Sequence, residues 1–260
     1  MSVKSLQSPY NQLELLPKSL FFVTRWGSGY GQTVYMRTLG LIPARAGSKG
    51  IPGKNKRMMC GQPLISWSIA AAQAAHSIDE IVVSTDDEEI ADIALGLGIK
   101  VPFMRPPELA QDDTPGVDPV LHALTLMKGF DSVVLLQPTS PLRTSADIDA
   151  IVATAVTRRA SSAVSVCETK EPIQWNFTIQ ADGSLRPLLE GEMIHRRQDA
   201  VRTYTLNGAL YYFEIPWFLE GKKFMDGETL AFLMPHERSI DIDTTFDWMV
   251  AEFLCGRLNG

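Results

Sequence analysis

A basic, glycine-rich loop near residue 50 is the stretch of this sequence whose residue types most clearly serve binding chemistry. It reads PARAGSKGIPGKN over residues 43–55 and follows a short apolar run. Six Lys and Arg side chains lie between Arg37 and Arg57, whereas no acidic residue occurs from residue 15 to residue 78. Glycines let backbone N–H groups approach a ligand closely, so such a loop can surround phosphate oxygens. We therefore expect a phosphate site, with a nucleoside triphosphate favoured over the alternative of an ordinary solvated loop.

Two familiar phosphate-binding motifs do not fit this loop. A Walker A loop has four residues between its first glycine and the Gly-Lys pair, and Ser or Thr after the lysine. Here five residues separate Gly47 from Gly53, and Asn55 follows Lys54. The dinucleotide fingerprint has Gly-x-Gly-x-x-Gly running into a helix, but these glycines are spaced by three and Pro52 interrupts them. The loop therefore belongs to neither of these two classes of nucleotide-binding protein.

A pair of acids near the end of the chain has the spacing of a metal site. Asp241 and Asp243 lie within SIDIDT at residues 239–244. In an extended chain side chains alternate, so the two carboxylates share a face about 7 Å apart while Ile240 and Ile242 face the core. Magnesium typically takes one or two carboxylates and completes its shell with water and substrate phosphates. The pair predicts a Mg²⁺ site, and the alternative is a half-exposed strand followed by a helix cap.

Polar residues follow two of the predicted strands at the points where ligands usually bind. Open parallel sheets bind ligands beyond the carboxyl ends of their strands. STD occupies residues 84–86 and QPTSPLR occupies residues 137–143. Gln137 offers both a donor and an acceptor to a hydroxylated substrate. For Asp86 we favour helix capping, whereas Arg143 is equally suited to bracing its loop and to contacting a ligand.

The pattern of the chain from residue 36 onward is typical of an α/β fold, because short apolar runs alternate with helical periodicity. Strands are predicted at residues 38–42, 80–84, 99–103, 132–136, 163–166, 209–215 and 230–234, and helices at residues 63–75, 86–97, 117–127, 144–157 and 246–253. After residue 166 the residue pattern of the chain changes, and a hairpin is expected at residues 177–188, around Asp-Gly. We thus expect one α/β domain at residues 36–260 with an insertion at about 168–205. Residues 1–35 lack a pattern and are expected to form a mobile extension.

The composition excludes several classes of protein. Of 260 residues, 45% are hydrophobic and 21% are charged, so the chain is globular rather than disordered. The net charge of −6 argues against a protein that coats nucleic acid. The three scattered cysteines have no disulfide or metal spacing, which indicates reduced thiols in the cytoplasm. No apolar run reaches the length of a membrane span, so we expect a soluble cytoplasmic protein.

Taken together, these motifs resemble the acylneuraminate cytidylyltransferase family, which makes CMP-activated sialic acids and related nonulosonic acids. The matching segments are residues 42–55, 81–86, 105–110, 135–143, 207–211 and 239–244, in the family's order. The resemblance covers essentially residues 38–255. It implies a Rossmann-like α/β fold with a mostly parallel sheet flanked by helices, and a small dimerisation insertion.

The resemblance also implies a role for each candidate residue in this sequence. Arg45, Lys49 and Lys54 would hold the triphosphate of CTP. Asn55, Arg105 and the backbone around Pro115 would shape the nucleotide pocket. Gln137 and Asn207 would face the sugar, Asp241 and Asp243 would bind Mg²⁺, and in a homodimer Arg197 and Gln198 would reach the partner's sugar site. The catalytic set is then Arg45, Lys49, Asp241 and Asp243.

The reaction implied is the joining of CTP and an acidic nine-carbon sugar to give CMP-sugar and pyrophosphate. The bacterial sialic acid enzymes have basic residues where this chain has Gln174 and Thr205, so a legionaminic- or pseudaminic-type sugar is also expected to fit. Three alternatives stay open at this point. They are a cytidylyltransferase for another acidic sugar such as a 3-deoxy-octulosonate, a metal-dependent glycosyltransferase that uses the Asp-x-Asp pair, and a non-catalytic nucleotide sensor.

Overall fold

The computed structural model describes residues 22–27, 30–191 and 194–258, and it begins with a hairpin. Strands β1 (Phe22–Gly27) and β2 (Tyr30–Tyr35) pair antiparallel in a two-stranded sheet of their own. This hairpin falls within the stretch that we expected to be a mobile extension, and residues 1–21 of that stretch lie outside the described residues. The hairpin was not predicted, because residues 22–35 show no clear alternation of apolar and polar residues.

The remaining elements follow the alternating order expected from the sequence. The strands are β3 (Thr38–Pro43), β4 (Met58–Met59), β5 (Gln62–Pro63), β6 (Glu80–Ser84), β7 (Ser132–Leu135), β8 (Ser162–Glu168), β9 (Phe177–Ile179), β10 (Leu185–Pro187), β11 (Tyr204–Glu214) and β12 (Leu230–Leu233). The helices are α1 (Leu64–Gln73), α2 (Glu88–Gly96), α3 (Val117–Leu126), α4 (Ser145–Arg158), α5 (Ile215–Gly221) and α6 (Thr245–Leu258).

A six-stranded, mostly parallel sheet forms the centre of the fold, in the order β12-β8-β11-β7-β3-β6. Only β11 runs antiparallel to its neighbours in this sheet. Leu41 of β3 pairs with Val82 of β6 on one side and with Leu135 of β7 on the other. The carboxyl ends of these three parallel strands therefore reach the same edge of the sheet. The predicted α/β class with a mostly parallel sheet is confirmed.

Helices cover both faces of the sheet because side chains alternate along its buried strands. Leu39 and Leu41 of β3 pack with α3 and with Phe218 of α5, whereas Ile42 of the same strand packs with α1, α2 and α4 on the opposite face. All three β3 side chains are fully buried. Strand β3 is thus fixed from both sides, and it leads directly into the basic loop.

A third apolar cluster lies under α6 and joins distant parts of the chain. Ile51 of the basic loop and Ile242, which stands between the two aspartates, are both buried in it together with Leu64 and Trp248. The loop and the acidic segment therefore share one apolar base. Burial of about 1.5–3 kcal/mol per large aliphatic side chain holds them there.

Helix capping agrees with the sequence at one helix and differs at another. Thr144 and Asp147 form a complete capping box at α4, in agreement with the predicted helix start at residue 144. Asp87, rather than Asp86, caps α2, because its Oδ1 accepts hydrogen bonds from Glu89 N at 2.9 Å and Ile90 N at 3.3 Å. The prediction that Asp86 caps this helix is wrong, since its carboxylate accepts a hydrogen bond from Ala46 N at 2.9 Å instead.

Strand boundaries show where local sequence signals mislead. The expected strand at residues 99–103 is reduced to isolated bridges at Lys100 and Met104. Strand β11 begins at Tyr204 rather than at the predicted residue 209, because a register shift between Leu206 and Tyr211 lets the strand continue through the Asn-Gly pair. The Asp-Gly hairpin of β9 and β10 is confirmed, with Gly183 at φ +82° in its turn.

Two features bear on the environment of the protein. Among the residues that the structure describes, Cys60, Cys167 and Cys255 form no disulfide. Among the residues that the structure describes, no helix combines the length and the apolar character needed to cross a membrane.

We expect Leu41→Ala to destabilise the fold by about 2–5 kcal/mol, because it leaves a cavity in the strand that positions the basic loop. The matched control is Leu95→Ala, since Leu95 on α2 is 56% exposed, and its effect should stay within about 0.5 kcal/mol. Urea unfolding monitored by circular dichroism measures both values. Equal losses in the two variants would contradict this account of the core.

Candidate active site

A cleft of about 340 Å³ opens at the carboxyl edge of β3 and β7. The basic loop forms one wall, and the segment that precedes and begins α3 forms another. Its lining includes Pro43, Arg45, Gly47, Ser48, Lys54, Asn55, Arg105, Gln111, Asp112, Thr114, Gly116, Gln137, Thr139 and Phe224. This is the position at which open α/β sheets bind ligands. Many of the residues expected to bind nucleotide are thus brought together from distant parts of the chain.

Two cations of the basic loop meet one acid across the cleft. Arg45 Nη2 lies 2.8 Å from Asp112 Oδ1, and Lys49 Nζ lies 3.2 Å from Asp112 Oδ2. Arg45 Nη1 also donates to the carbonyl oxygen of Gln111 at 2.8 Å. Asp112 was not predicted as a site residue, because no local pattern connects it to a loop some 60 residues earlier.

The third cation of the loop reaches the acidic pair. Lys54 is buried, and its ammonium donates to the carbonyl oxygen of Ile242 and lies 3.3 Å from Asp243 Oδ1. Gly50 packs so closely on this segment that a Cβ there would overlap the carbonyl oxygen of Asp243. The basic loop and the aspartates therefore share one site, as the expected function requires.

Buried polar contacts set the conformation of the loop. Asn55 Nδ2 donates to the carbonyl oxygen of Arg45 at 3.0 Å. Asn55, which was predicted to shape the nucleotide pocket, therefore also fixes the backbone at Arg45. Asp86 holds Ala46 N, as described above. Arg105 lines the cleft while its guanidinium is bound to the hydroxyl and carbonyl oxygens of Ser84. Burial lowers the pKa of Arg105 to about 10, with the Asp86 carboxylate opposing that shift. Arg105 thus stays cationic at neutral pH.

Gln137 lines the cleft, whereas Arg143 supports it from beneath. Arg143 is almost fully buried, and its guanidinium donates to the carbonyl oxygens of Gln137 at 2.7 Å and Ser140 at 2.9 Å. It also binds the hydroxyl of Ser68. Burial lowers the pKa of Arg143 to about 9. Of the two roles considered for Arg143, the structure shows the bracing of its loop.

The acidic pair alternates with a partly buried and a fully buried isoleucine, Ile240 and Ile242, but it is not part of a strand. Residues 239–243 have no regular structure, although Ile242 is fully buried and Asp243 is exposed, as the alternation predicts. The strand interpretation is therefore wrong, because this segment is fixed by the bond from Ile242 N to Thr139 O at 2.8 Å rather than by a sheet ladder. The facing of the side chains is right.

Asp241 is the more buried acid, and its environment is unusual. Its Oδ1 is buried without a hydrogen-bond partner in the described structure. Burial raises the pKa of Asp241, the Thr139 hydroxyl opposes this shift and the Asp243 carboxylate adds to it. Gly208, at φ +70°, makes room for the carboxylate, since a Cβ there would lie 2.8 Å from Asp241 Oδ2. Asp241 Oδ1 thus stays without a hydrogen bond within the described structure, although burying an unpartnered carboxylate oxygen costs stability.

These two carboxylates fit a hard divalent cation. An unpartnered carboxylate oxygen is the ligand type that Mg²⁺ prefers. Among the described residues no cluster of three or more His, Cys, Asp or Glu is placed to hold a metal. A cation bound by Asp241 and Asp243 would therefore take its other ligands from water and substrate, as Mg²⁺ commonly does.

The residues expected near the sugar lie in different environments. Asn207 is buried, and its amide accepts from Ser165 Oγ at 2.5 Å and donates to Ser239 Oγ at 2.9 Å, so it braces β11 against the segment that leads to Asp241. Arg197 pairs with Glu171 at 2.7 Å on the surface and lines a second cleft of about 350 Å³. Their roles toward a sugar, like that of Gln198 beside Arg197, stay predictions.

Pro115 contributes through its position in the chain. The neighbouring residues Thr114 and Gly116 line the cleft, and the carbonyl oxygen of Pro115 accepts from Asp118 N at 3.0 Å at the start of α3. Phe224 also lines the cleft and packs 5.5 Å from the Tyr211 ring. Sequence reasoning missed Phe224, because aromatic residues in the 215–225 region suggest core packing alone.

Comparison with curated proteins places the chain among enzymes of known activity. It is 39% identical over 227 residues to the CMP-N,N'-diacetyllegionaminic acid synthase of Legionella pneumophila, covering 84% of this chain and 96% of that protein. It is 32% identical to the pseudaminic acid cytidylyltransferase of Campylobacter jejuni, with coverage of 84% and 96%. It is also 32% identical to the N-acylneuraminate cytidylyltransferase of Escherichia coli, in an alignment that covers 83% of this chain and only 52% of that longer protein.

A solved structure and a family description complete the comparison. A CMP:2-keto-3-deoxy-manno-octonic acid synthetase described as complexed with CTP superposes with a TM-score of 0.66 at 17% identity, covering 85% of this chain and 99% of that one, which shows a shared fold. Residues 39–214 match the family described as cytidylyltransferase. The chain therefore belongs to the cytidylyltransferase family of nucleotidyltransferases.

Proposed function

We propose that this protein joins CTP to a nonulosonic acid, giving the CMP-sugar and pyrophosphate. One observation carries the proposal: Lys54 of the basic loop meets Asp243, 189 residues later, at the edge of the ligand cleft. Cations for a triphosphate and acids for a divalent ion therefore share one site. The three relatives described above are named for legionaminic, pseudaminic and N-acylneuraminic acids, which supports a sugar of this class.

The basic loop would bind the triphosphate. Arg45, Lys49 and Lys54 supply three cations, and the glycines expose backbone N–H groups beside them. Asn55 and Arg105 would complete the nucleotide side of the cleft. Phosphoryl-type transfer depends mainly on positioning and on neutralising charge, and a loop fixed at Asp86 and Asn55 provides both.

Asp241 and Asp243 would hold Mg²⁺. The buried and unpartnered Oδ1 of Asp241 supports this assignment. When bound, the ion would reduce the negative charge of the α-phosphate and polarise it. The Lys54 ammonium, between the loop and Asp243, keeps the two parts of the site at a fixed separation.

The anomeric hydroxyl of the sugar would attack the α-phosphorus of CTP. The new bond joins the anomeric oxygen to phosphorus, and the bond to the departing pyrophosphate breaks. Arg45 and Lys49 would stabilise the charge that grows on the pyrophosphate, which is an electrostatic contribution. Gln137 would contact sugar hydroxyls at the floor of the cleft. We assign no general base.

A homodimer would complete the sugar site. The region around the β9–β10 hairpin exposes an apolar surface, which marks an interaction site. Its exposed side chains are Ile179, Leu185, Leu188, Leu189, Val201, Tyr204 and Leu206. In a dimer built on this surface, Arg197 and Gln198 would reach the partner's sugar.

We also propose that the protein works in the cytoplasm, where its cysteine thiols stay reduced.

A pyrophosphate-release assay with CTP, MgCl₂ and a panel of nonulosonic acids tests the proposed function. The panel contains legionaminic, N-acetylneuraminic and pseudaminic acids. Pyrophosphate and the matching CMP-sugar should appear in equal amounts with at least one of them. CTP binding without turnover on any sugar would instead support a nucleotide sensor, and turnover of a nucleotide-sugar without pyrophosphate release would support a glycosyltransferase.

Arg45→Ala should slow turnover by about 10²–10³, because it removes one preorganised donor for the leaving group. The control is Arg57→Ala, since Arg57 lies in the same basic stretch but packs on the Trp248 ring at 4.8 Å. Its turnover should stay close to that of the wild type. Steady-state kinetics over a range of CTP concentrations gives kcat and KM separately. A rise in KM for CTP with unchanged kcat would remove the leaving-group role from Arg45.

Asp241→Asn should raise thermal stability at neutral pH while it abolishes most activity. The pKa of Asp241 is raised in the fold, so its ionised form costs stability above the unfolded pKa, and that cost is relieved as pH falls through the folded pKa. The stability gained by the variant should therefore shrink as the solution is acidified. Calorimetry in the presence of a chelator measures this gain. A melting temperature of Asp241→Asn below that of the wild type at pH 7 would contradict the view that this carboxylate costs stability and is retained for function.

Leu185→Asp should shift the protein from dimer to monomer, because it places a charge in the proposed apolar interface. Leu95→Asp on the exposed face of α2 is the control and should leave the dimer intact. Light scattering coupled to gel filtration reports both masses. A monomeric wild type, or a Leu185→Asp variant that stays dimeric, would exclude this interface.

A further inference from the structure

Asp112 occupies the donors that the proposed function assigns to the triphosphate. Its two carboxylate oxygens divide between two cations, with Oδ1 at 2.8 Å from Arg45 Nη2 and Oδ2 at 3.2 Å from Lys49 Nζ. A carboxylate and a phosphate group present similar oxygen acceptors to Arg and Lys. Asp112 thus already makes contacts that a bound polyphosphate would make.

We propose that Asp112 is the internal counter-anion of the triphosphate subsite, and that CTP binds by displacing its carboxylate from Arg45 and Lys49. This inference rests on the proposed function and adds to it a residue that sets nucleotide affinity. Asp112 does not touch the reacting atoms and acts through the two cations. It is therefore a positioning residue.

The exchange is physically easy because the groups are partly in solvent. The side chains of Asp112 and Lys49 are 42% and 78% exposed, so water can solvate the carboxylate once it leaves. Exposed ion pairs of this kind contribute little individually. A polyphosphate with several charges can replace one carboxylate, whereas a single weakly charged anion gains much less from the same exchange.

Arg45 would remain oriented throughout this exchange. Its Nη1 donates to the main-chain carbonyl of Gln111, while a different nitrogen, Nη2, contacts Asp112. The first contact can persist after the second is lost. The guanidinium is thus held in place for the incoming phosphate, and only the carboxylate has to move.

The same contact would act on the product that leaves. Pyrophosphate would occupy the Arg45 and Lys49 donors at the end of the reaction, and the Asp112 carboxylate competes for them. Removal of that carboxylate should therefore strengthen the binding of pyrophosphate as well as of CTP. A residue that merely stabilised its loop would not produce this pair of effects.

The neighbouring residue provides a matched control. Asp113 carries the same charge one position further on and is exposed, and within the described part of the chain it forms no ion pair with Arg45 or Lys49. Asp113→Asn changes the net charge by the same amount as Asp112→Asn. Only the direct contact with the two cations differs between the two variants.

The test is calorimetric titration of CTP in MgCl₂ at low ionic strength, without sugar. Asp112→Asn should lower the Kd of CTP by about threefold to tenfold, and added KCl should reduce the difference. Asp113→Asn should bind CTP with a Kd near that of the wild type. Asp112→Glu keeps the carboxylate, so its Kd should lie between the wild-type value and that of Asp112→Asn. Competitive inhibition by pyrophosphate should tighten in Asp112→Asn by a similar factor.

Several results would overturn the inference. Unchanged or weaker CTP binding by Asp112→Asn would exclude a displaced counter-anion, as would equal gains in both Asn variants, which would indicate a general charge effect. Thermal melting checks that the variants are folded, and Asp112→Ser replaces Asp112→Asn if that variant unfolds. If the wild type itself binds no CTP, the proposed function fails rather than this inference alone.

Discussion

The shared apolar base beneath the cleft is the constraint on which the site depends. Ile51 and Ile242 are buried in one cluster although one belongs to the basic loop and the other lies between the two aspartates. Removing both from water together brings cationic and anionic residues from opposite ends of the chain into contact. Like many functional sites, this one gathers charges that would not otherwise stay close, and hydrophobic burial supplies the free energy to do so.

The charges of the site are balanced before any ligand enters. Arg45 and Lys49 face Asp112, and Lys54 faces Asp243. Asp241 alone among these acids keeps a buried oxygen without a partner. A divalent cation offsets part of the charge that a triphosphate brings, so the two together change the net charge of the site less than the triphosphate alone would. This favours joint binding of nucleotide and metal.

Much of the fold was predictable, because the central strands are short, apolar and bounded by helical patterns. Strand β6 matches its predicted range, and α3 and β7 differ from theirs by one residue at one end. The predictions failed where long-range packing decides the structure. Asp86 binds the basic loop instead of capping its own helix, and β11 starts five residues before its predicted start at residue 209, since it continues through a bulge.

The site was predictable to the extent that its chemistry is local in sequence. The basic loop and the Asp-x-Asp pair each carry their own pattern, and both line or border the cleft. Asp112 and Phe224 carry none, because their contribution comes from loops whose course is set by the sheet. The bracing by Asn207 was hidden, and that by Arg143 was one of two roles that the sequence left open, since a buried polar side chain has no distinct signature until its partners are known.

Gly50 has a mechanical consequence for the enzyme. Its α-carbon lies so close to the Asp243 carbonyl that no side chain fits between the two backbones. The basic loop and the segment that carries the two aspartates therefore touch directly, without a flexible side chain to absorb displacement. A shift of one would displace the other, so a triphosphate held by the loop and an ion held by the aspartates would sense each other through backbone contact.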